Sequence, residues 1–76
     1  MNYVGRTVRT RVNLRSLAEP IRVHPVGSEG LVVDVVATGM YIVEIRVSDA
    51  NVSGGAWYDT LELRDSDFAV EQSDVA

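Results

Sequence analysis

The chain contains one histidine, His24, and no cysteine. A serine–histidine–carboxylate relay needs a hydroxyl, an imidazole and an orienting acid to converge, and Ser16, Ser28 and eleven acids supply the raw groups. No nucleophile-elbow motif presents any of these hydroxyls. His24 lies in a stretch bounded by Pro20 and Pro25, which assigns it to a surface loop with no catalytic duty. Asp49-x-Asn51-x-Ser53-Gly54 matches the first half of an EF-hand calcium loop, whose alternating oxygens wrap a hard cation. The match then fails. Thr60 stands where the bidentate Glu should be, Asp59 comes one residue early, and the flanks carry strand patterns. Asp, Asn, Ser and Gly also suit an ordinary polar turn, and that is the expectation for this loop. Glu62, Asp65 and Asp67 could be read as an acid–base set, but acids are expected around a helical turn for capping and dipole reasons. With no phosphate loop, dinucleotide fingerprint or zinc spacing, no catalytic residue, metal ligand or cofactor is assigned, and the chain is read as a non-enzyme.

Two further groups of residues point to binding. Residues 1–38 carry five arginines (6, 9, 11, 15 and 22) against three acids; residues 39–76 carry two arginines against eight acids. No lysine occurs. Arg9 and Arg11, with Arg15 and Arg22 close in sequence, form a candidate phosphate-contacting face, and Tyr3, Tyr41 or Tyr58 could stack on bases. A net charge of −4 and a pI near 4.7 oppose that alternative. A general preference for arginine over lysine explains the same residues without any ligand. Trp57-Tyr58 is the better lead. Neighbours on a strand face opposite sides, so a buried Trp57 leaves Tyr58 exposed, with Met40 and Ile42 on the outer face. Met40, Ile42, Trp57 and Tyr58 are therefore the candidate protein-contact residues. The competing account is that Tyr58 and Ile42 simply pair across adjacent strands.

The elements that position these residues are strands. Seventy-six residues make a single domain, taken as 1–72 with a flexible tail at 73–76. A chain this short buries only roughly 60–65% of its unfolded surface, and without disulfides it depends on the 46% of its residues that are hydrophobic. Thr7–Leu14 alternates Val8, Thr10, Val12 and Leu14 with polar residues, the pattern of a half-buried strand. A long excursion follows at Arg15–Gly30, broken by prolines and glycines. Leu17, Ile21, Val23 and Val26 are expected to pin it to the core, with one helical turn at Ser16–Glu19. Leu31–Ala37 is apolar on both faces apart from Asp34, which fits a central strand or one that bends. Thr38-Gly39 turns into Met40–Val47, where Tyr41, Val43, Ile45 and Val47 alternate inward. Ala56–Leu63 is the fourth strand, with Trp57, Leu61 and Leu63 inward. A short 3-10 turn capped by Asp65 or Ser66 leads to a last strand at Phe68–Glu71. No stretch reaches signal-peptide or membrane-span character, so Asn51-Val52-Ser53 is read as a loop rather than a glycosylation site, and cytoplasmic residence is expected.

Five short strands dispose of their edges most economically by closing into a small barrel. The pattern Gly30-Leu31-Val32-Val33, Tyr41-x-Val43-Glu44-x-Arg46 and Leu61-x-Leu63-Arg64-x-x-Asp67-Phe68 resembles the SH3-like β-barrel superfamily. It is similar in particular to small bacterial versions of that barrel, among them KOW-type modules and the barrel of the nitrile hydratase β-subunit. The resemblance implies an all-β, five-stranded SH3-like barrel with a long first loop and one 3-10 turn before the last strand. It also implies an accessory or regulatory module that binds a protein or associates with itself. Alternatives are nucleic-acid binding through Arg9 and Arg11, a small acidic inhibitor using the C-terminal charge, and an enzyme completed only between subunits.

Overall fold

A computed structural model of the chain describes residues 3–16 and 21–71. Most of it is strand: β1 (Thr7–Thr10), β2 (Leu14–Arg15), β3 (Val23–His24), β4 (Glu29–Ala37), β5 (Met40–Ser48), β6 (Ala56–Arg64), then a 3-10 turn (Asp65–Asp67) and β7 (Phe68–Val70). β1, β4, β5, β6 and β7 form one antiparallel sheet in the order β6-β5-β4-β1-β7, and β2 and β3 form a separate two-stranded sheet. All-β architecture is as expected. Closure is not: β6 and β7 end the sheet without pairing with each other, so no closed barrel forms. With only three residues in β7, and β1 leaving the sheet at Thr10, there is too little strand to complete the ring.

The core follows from period-two alternation. β5 and β6 pair over nine residues without a register shift, so Tyr41, Val43 and Ile45 face inward beside Leu63, Leu61 and Asp59. Val8, Val32, Tyr41, Val43, Ile45, Leu61, Leu63 and Phe68 are buried together. Each apolar side chain of this size contributes about 1.5–3 kcal/mol when fully withdrawn from water. Gly30 sets how closely β4 can lie on this core. A Cβ there would stand 2.8 Å from Val43 Cγ1 and 3.0 Å from Ile45 Cδ1. Register shifts after Val32 and after Val35 bend β4, so its first part pairs with β1 and β5 and its second with β5 alone. Gly39, with φ of +75°, takes the left-handed position in the two-residue turn between Ala37 and Met40. At one end of the core Tyr3, Tyr41 and Phe68 meet edge to face in all three pairs, with centroids 5.2–5.8 Å apart.

Several sequence expectations change. The first strand stops at Thr10, although the alternation runs on to Leu14. Thr10 exchanges backbone bonds with Ser28 and Gly27, and Arg11 N–H turns to the Asp67 carbonyl, so the chain leaves the β4 ladder there. Of the aliphatics expected to pin the excursion, Ile21, Val23 and Val26 are exposed. Polar groups hold it instead. Ser16 N–H donates to the Arg22 carbonyl, Arg22 N–H donates to Ser16 Oγ, and Asn13 Oδ1 accepts the Val26 N–H. Leu17, most of the expected helical turn and the tail at 73–76 lie outside the described residues. The 3-10 turn is capped from its far end, by Asp67 Oδ2 accepting the Arg64 N–H at 3.1 Å, rather than by Asp65 or Ser66. In the 48–55 loop, Asp49 Oδ1 accepts the Asn51 N–H at 2.9 Å and Gly54 and Gly55 take positive φ, which is the polar-turn geometry expected of these residues.

Candidate functional site

The shift-free β5–β6 register decides which side chains share the outer face. Met40 pairs with Arg64, Ile42 with Glu62, Glu44 with Thr60, and Arg46 with Tyr58. Tyr58 is 56% exposed, whereas Met40 and Ile42 are half-buried. Ile42 and Tyr58 therefore lie on one face without pairing. Four residues of strand separate their levels, on the order of 13 Å. Tyr58 instead shares a shallow concavity of about 210 Å³ with Leu31, Thr7, Glu29, Glu44 and Arg46. Leu31 stands opposite Glu44 and is exposed; Val33, at the first β4 bulge, is exposed beside it in sequence. The outer face thus carries Tyr58, Leu31 and Val33 among paired charges, a mixture of aromatic and aliphatic anchors with a polar surround. Leu31 and Val33 were the residues to add. Their signal was already in the sequence, because an apolar run on both faces of a strand must leave one face uncovered unless another layer packs on it.

Trp57 turns the other way, onto the inner side, and is half-buried. The Arg22 guanidinium lies 4.2 Å from its ring centroid, close enough for a cation–π contact. Beside it, His24 Nε2 is 2.7 Å from Asp59 Oδ2, with the His24 side chain 5% exposed and that of Asp59 20%. The surface-loop expectation for His24 is therefore wrong. Its two-residue strand folds over the open end of the sheet, and Asp59, at an inward position of β6, supplies the partner that a buried ring nitrogen requires. A histidine–carboxylate couple is part of a relay, but Ser16 Oγ is occupied by the Arg22 N–H, and among the described residues no hydroxyl bonds the ring.

The four arginines of the proposed basic face are dispersed. Arg9 bonds Glu29 and Glu71, each at 3.4 Å, and the Gly27 carbonyl. Arg11 Nε donates to the Phe68 carbonyl and lines a cleft of about 410 Å³ with Arg6, Tyr3 and Asp65. Arg15 is exposed opposite Val23, and Arg22 is over Trp57. Of the three tyrosines offered for stacking, Tyr41 is buried and Tyr3 packs on it, leaving Tyr58. Comparison with models of known families, with curated proteins and with solved structures finds no match.

Proposed function

We propose that this chain is an SH3-like module whose sheet stays open, and that it binds another protein through the outer face of β4, β5 and β6, acting as an accessory or regulatory component without chemistry of its own. The SH3-like assignment draws support from the strand order, with β1 between β4 and β7, and from the long excursion between β1 and β4 and the 3-10 turn before β7. One observation carries the binding reading: Tyr58, Leu31 and Val33 stay exposed while the inward residues of the same strands are buried. A small domain has little apolar surface to spare, and exposed anchors with a charged rim are the usual composition of a contact surface.

Nucleic-acid binding through Arg9 and Arg11 draws less support, because Arg9 already lies between two carboxylates and Arg11 is tied to a backbone carbonyl. The test is affinity capture from the source cell with the wild-type chain and with Leu31→Ser and Tyr58→Ala variants. A partner retained by the wild type and lost from both variants, at unchanged melting temperature, supports the surface. Equal retention by all three overturns it.

A further inference from the structure

Among the described residues, no strand pairs with the second side of the outermost long strand, β6. It ends the sheet order, and it is nine residues long with no proline, glycine or bulge to spoil it. Which of its backbone groups face outward follows from β4. Val32 C=O accepts the Gly5 N–H at 2.8 Å and Val32 N–H donates to the Arg6 carbonyl at 3.1 Å, so Val32 points away from β5. Its cross-strand partner Val43 must then direct its own groups at β6, where it meets Leu61. That direction alternates along an antiparallel pair, so Tyr58, Thr60, Glu62 and Arg64 present N–H and C=O to the open side. The Arg64 N–H is taken by Asp67 Oδ2, in agreement with this direction. Among the described residues, nothing bonds the outward groups of Tyr58, Thr60 and Glu62.

We infer that this edge pairs with the same edge of a second copy, antiparallel, about a two-fold axis at Thr60. The strand itself selects the occupant and the register. Centring on Thr60 sets it against Thr60 of the second copy and sets Tyr58 against Glu62, so all three outward residues exchange bonds and no like charges oppose. Arg64 then lies diagonally from the Tyr58 ring of the other copy, a cation beside an aromatic face. Shifting the axis to Asp59 or Glu62 would set two carboxylates against each other. Centring on Leu61 avoids that but pairs Tyr58 with Arg64, whose N–H is already taken by Asp67. An inward charge such as Asp59 can guard an edge, but this one is already engaged by His24 on the inner side. The contact is isologous and closes at two copies, merging two five-stranded sheets into one.

Sedimentation of the full chain tests this directly. The wild type should run at twice its 8.3 kDa at millimolar concentration. Thr60→Lys, which places two ammonium groups at the axis, should run as a folded monomer. Thr60→Pro removes an N–H that the β5 ladder does not use, and should do the same. Leu31→Ser should leave the dimer intact, which separates this edge from the outer-face partner. Amide exchange at Thr60 should slow as the wild-type concentration rises. A wild-type monomer at millimolar concentration overturns the inference. So does growth past the dimer into open chains, which would pair β6 with β7 instead, or a dimer that survives in both folded Thr60 variants.

Discussion

His24 and Asp59 are 35 residues apart in sequence, yet His24 Nε2 and Asp59 Oδ2 are 2.7 Å apart. The contact joins the single imidazole of the chain to a carboxylate oxygen on the inner side of the sheet. The bond ties the two-stranded β2–β3 sheet to β6, and the Arg22–Trp57 contact joins the same two pieces beside it. Val23 of the covering piece is exposed while Leu14 packs against the core, so polar recognition and apolar burial together hold it in place.

Removing one partner should cost more than the bond itself, because the other is left without its partner on the inner side. We expect His24→Ala and Asp59→Ala each to lower stability by about 1–3 kcal/mol in urea unfolding. Asp59→Asn, whose side-chain oxygen can still accept, should lose less. Equal losses for Asn and Ala would show that the charge of Asp59, not an acceptor oxygen alone, matters.

Gly30→Ala tests the tightness of the core. Its backbone needs no special φ, so the whole effect comes from the new methyl meeting Val43 and Ile45, both fully buried. A loss of about 1–3 kcal/mol is expected from overpacking. Combining it with Val43→Ala should cost less than the two single losses together, since the second change removes the obstructing methyl. Strict additivity would show that the strand shifts instead.

The Arg22–Trp57 stack gives an optical handle. Arg22→Ala should red-shift the emission of Trp57, the chain's single tryptophan, while lowering stability by no more than about 1 kcal/mol. Arg22→Lys, a point charge without a planar face, should recover only part of the shift. An unchanged spectrum in Arg22→Ala would mean that the ring is sheltered by other groups.

Where the alternation is backed by burial on one face, the sequence was a sufficient guide. Tyr41, Val43, Ile45, Leu61 and Leu63 stand on the inner side as their spacing requires, and Tyr58 is exposed as the opposite of Trp57. At Val12 the same pattern misled, because alternation describes a chain's local rhythm and not whether a neighbouring strand continues beside it. Thr10 and Arg11 find other backbone partners, and Val12 becomes exposed. His24–Asp59 left no local trace at all. Only the fold brings β3 over β6, and neither residue's immediate neighbours encode the other. The ion pairs of Arg9 were hidden for a related reason: Glu29 and Glu71 reach it from β4 and from beyond β7, so a charge count by halves of the chain could not register the pairing.

The edge-to-face triangle of Tyr3, Tyr41 and Phe68 has a kinetic consequence. β4, β5 and β6 are joined by short turns and can zip sequentially, but Phe68 reaches β1 only after the intervening sixty or so residues have been drawn together. The costly loop closure falls on the last pairing, that of β1 with β7, which places the entropic bottleneck of assembly at the aromatic corner. Truncating Phe68 should then slow folding more than it accelerates unfolding, as read from the two arms of a chevron plot. The short β7 strand thereby governs how quickly the chain reaches its native state; a loss carried by the unfolding arm would place the corner after the barrier instead.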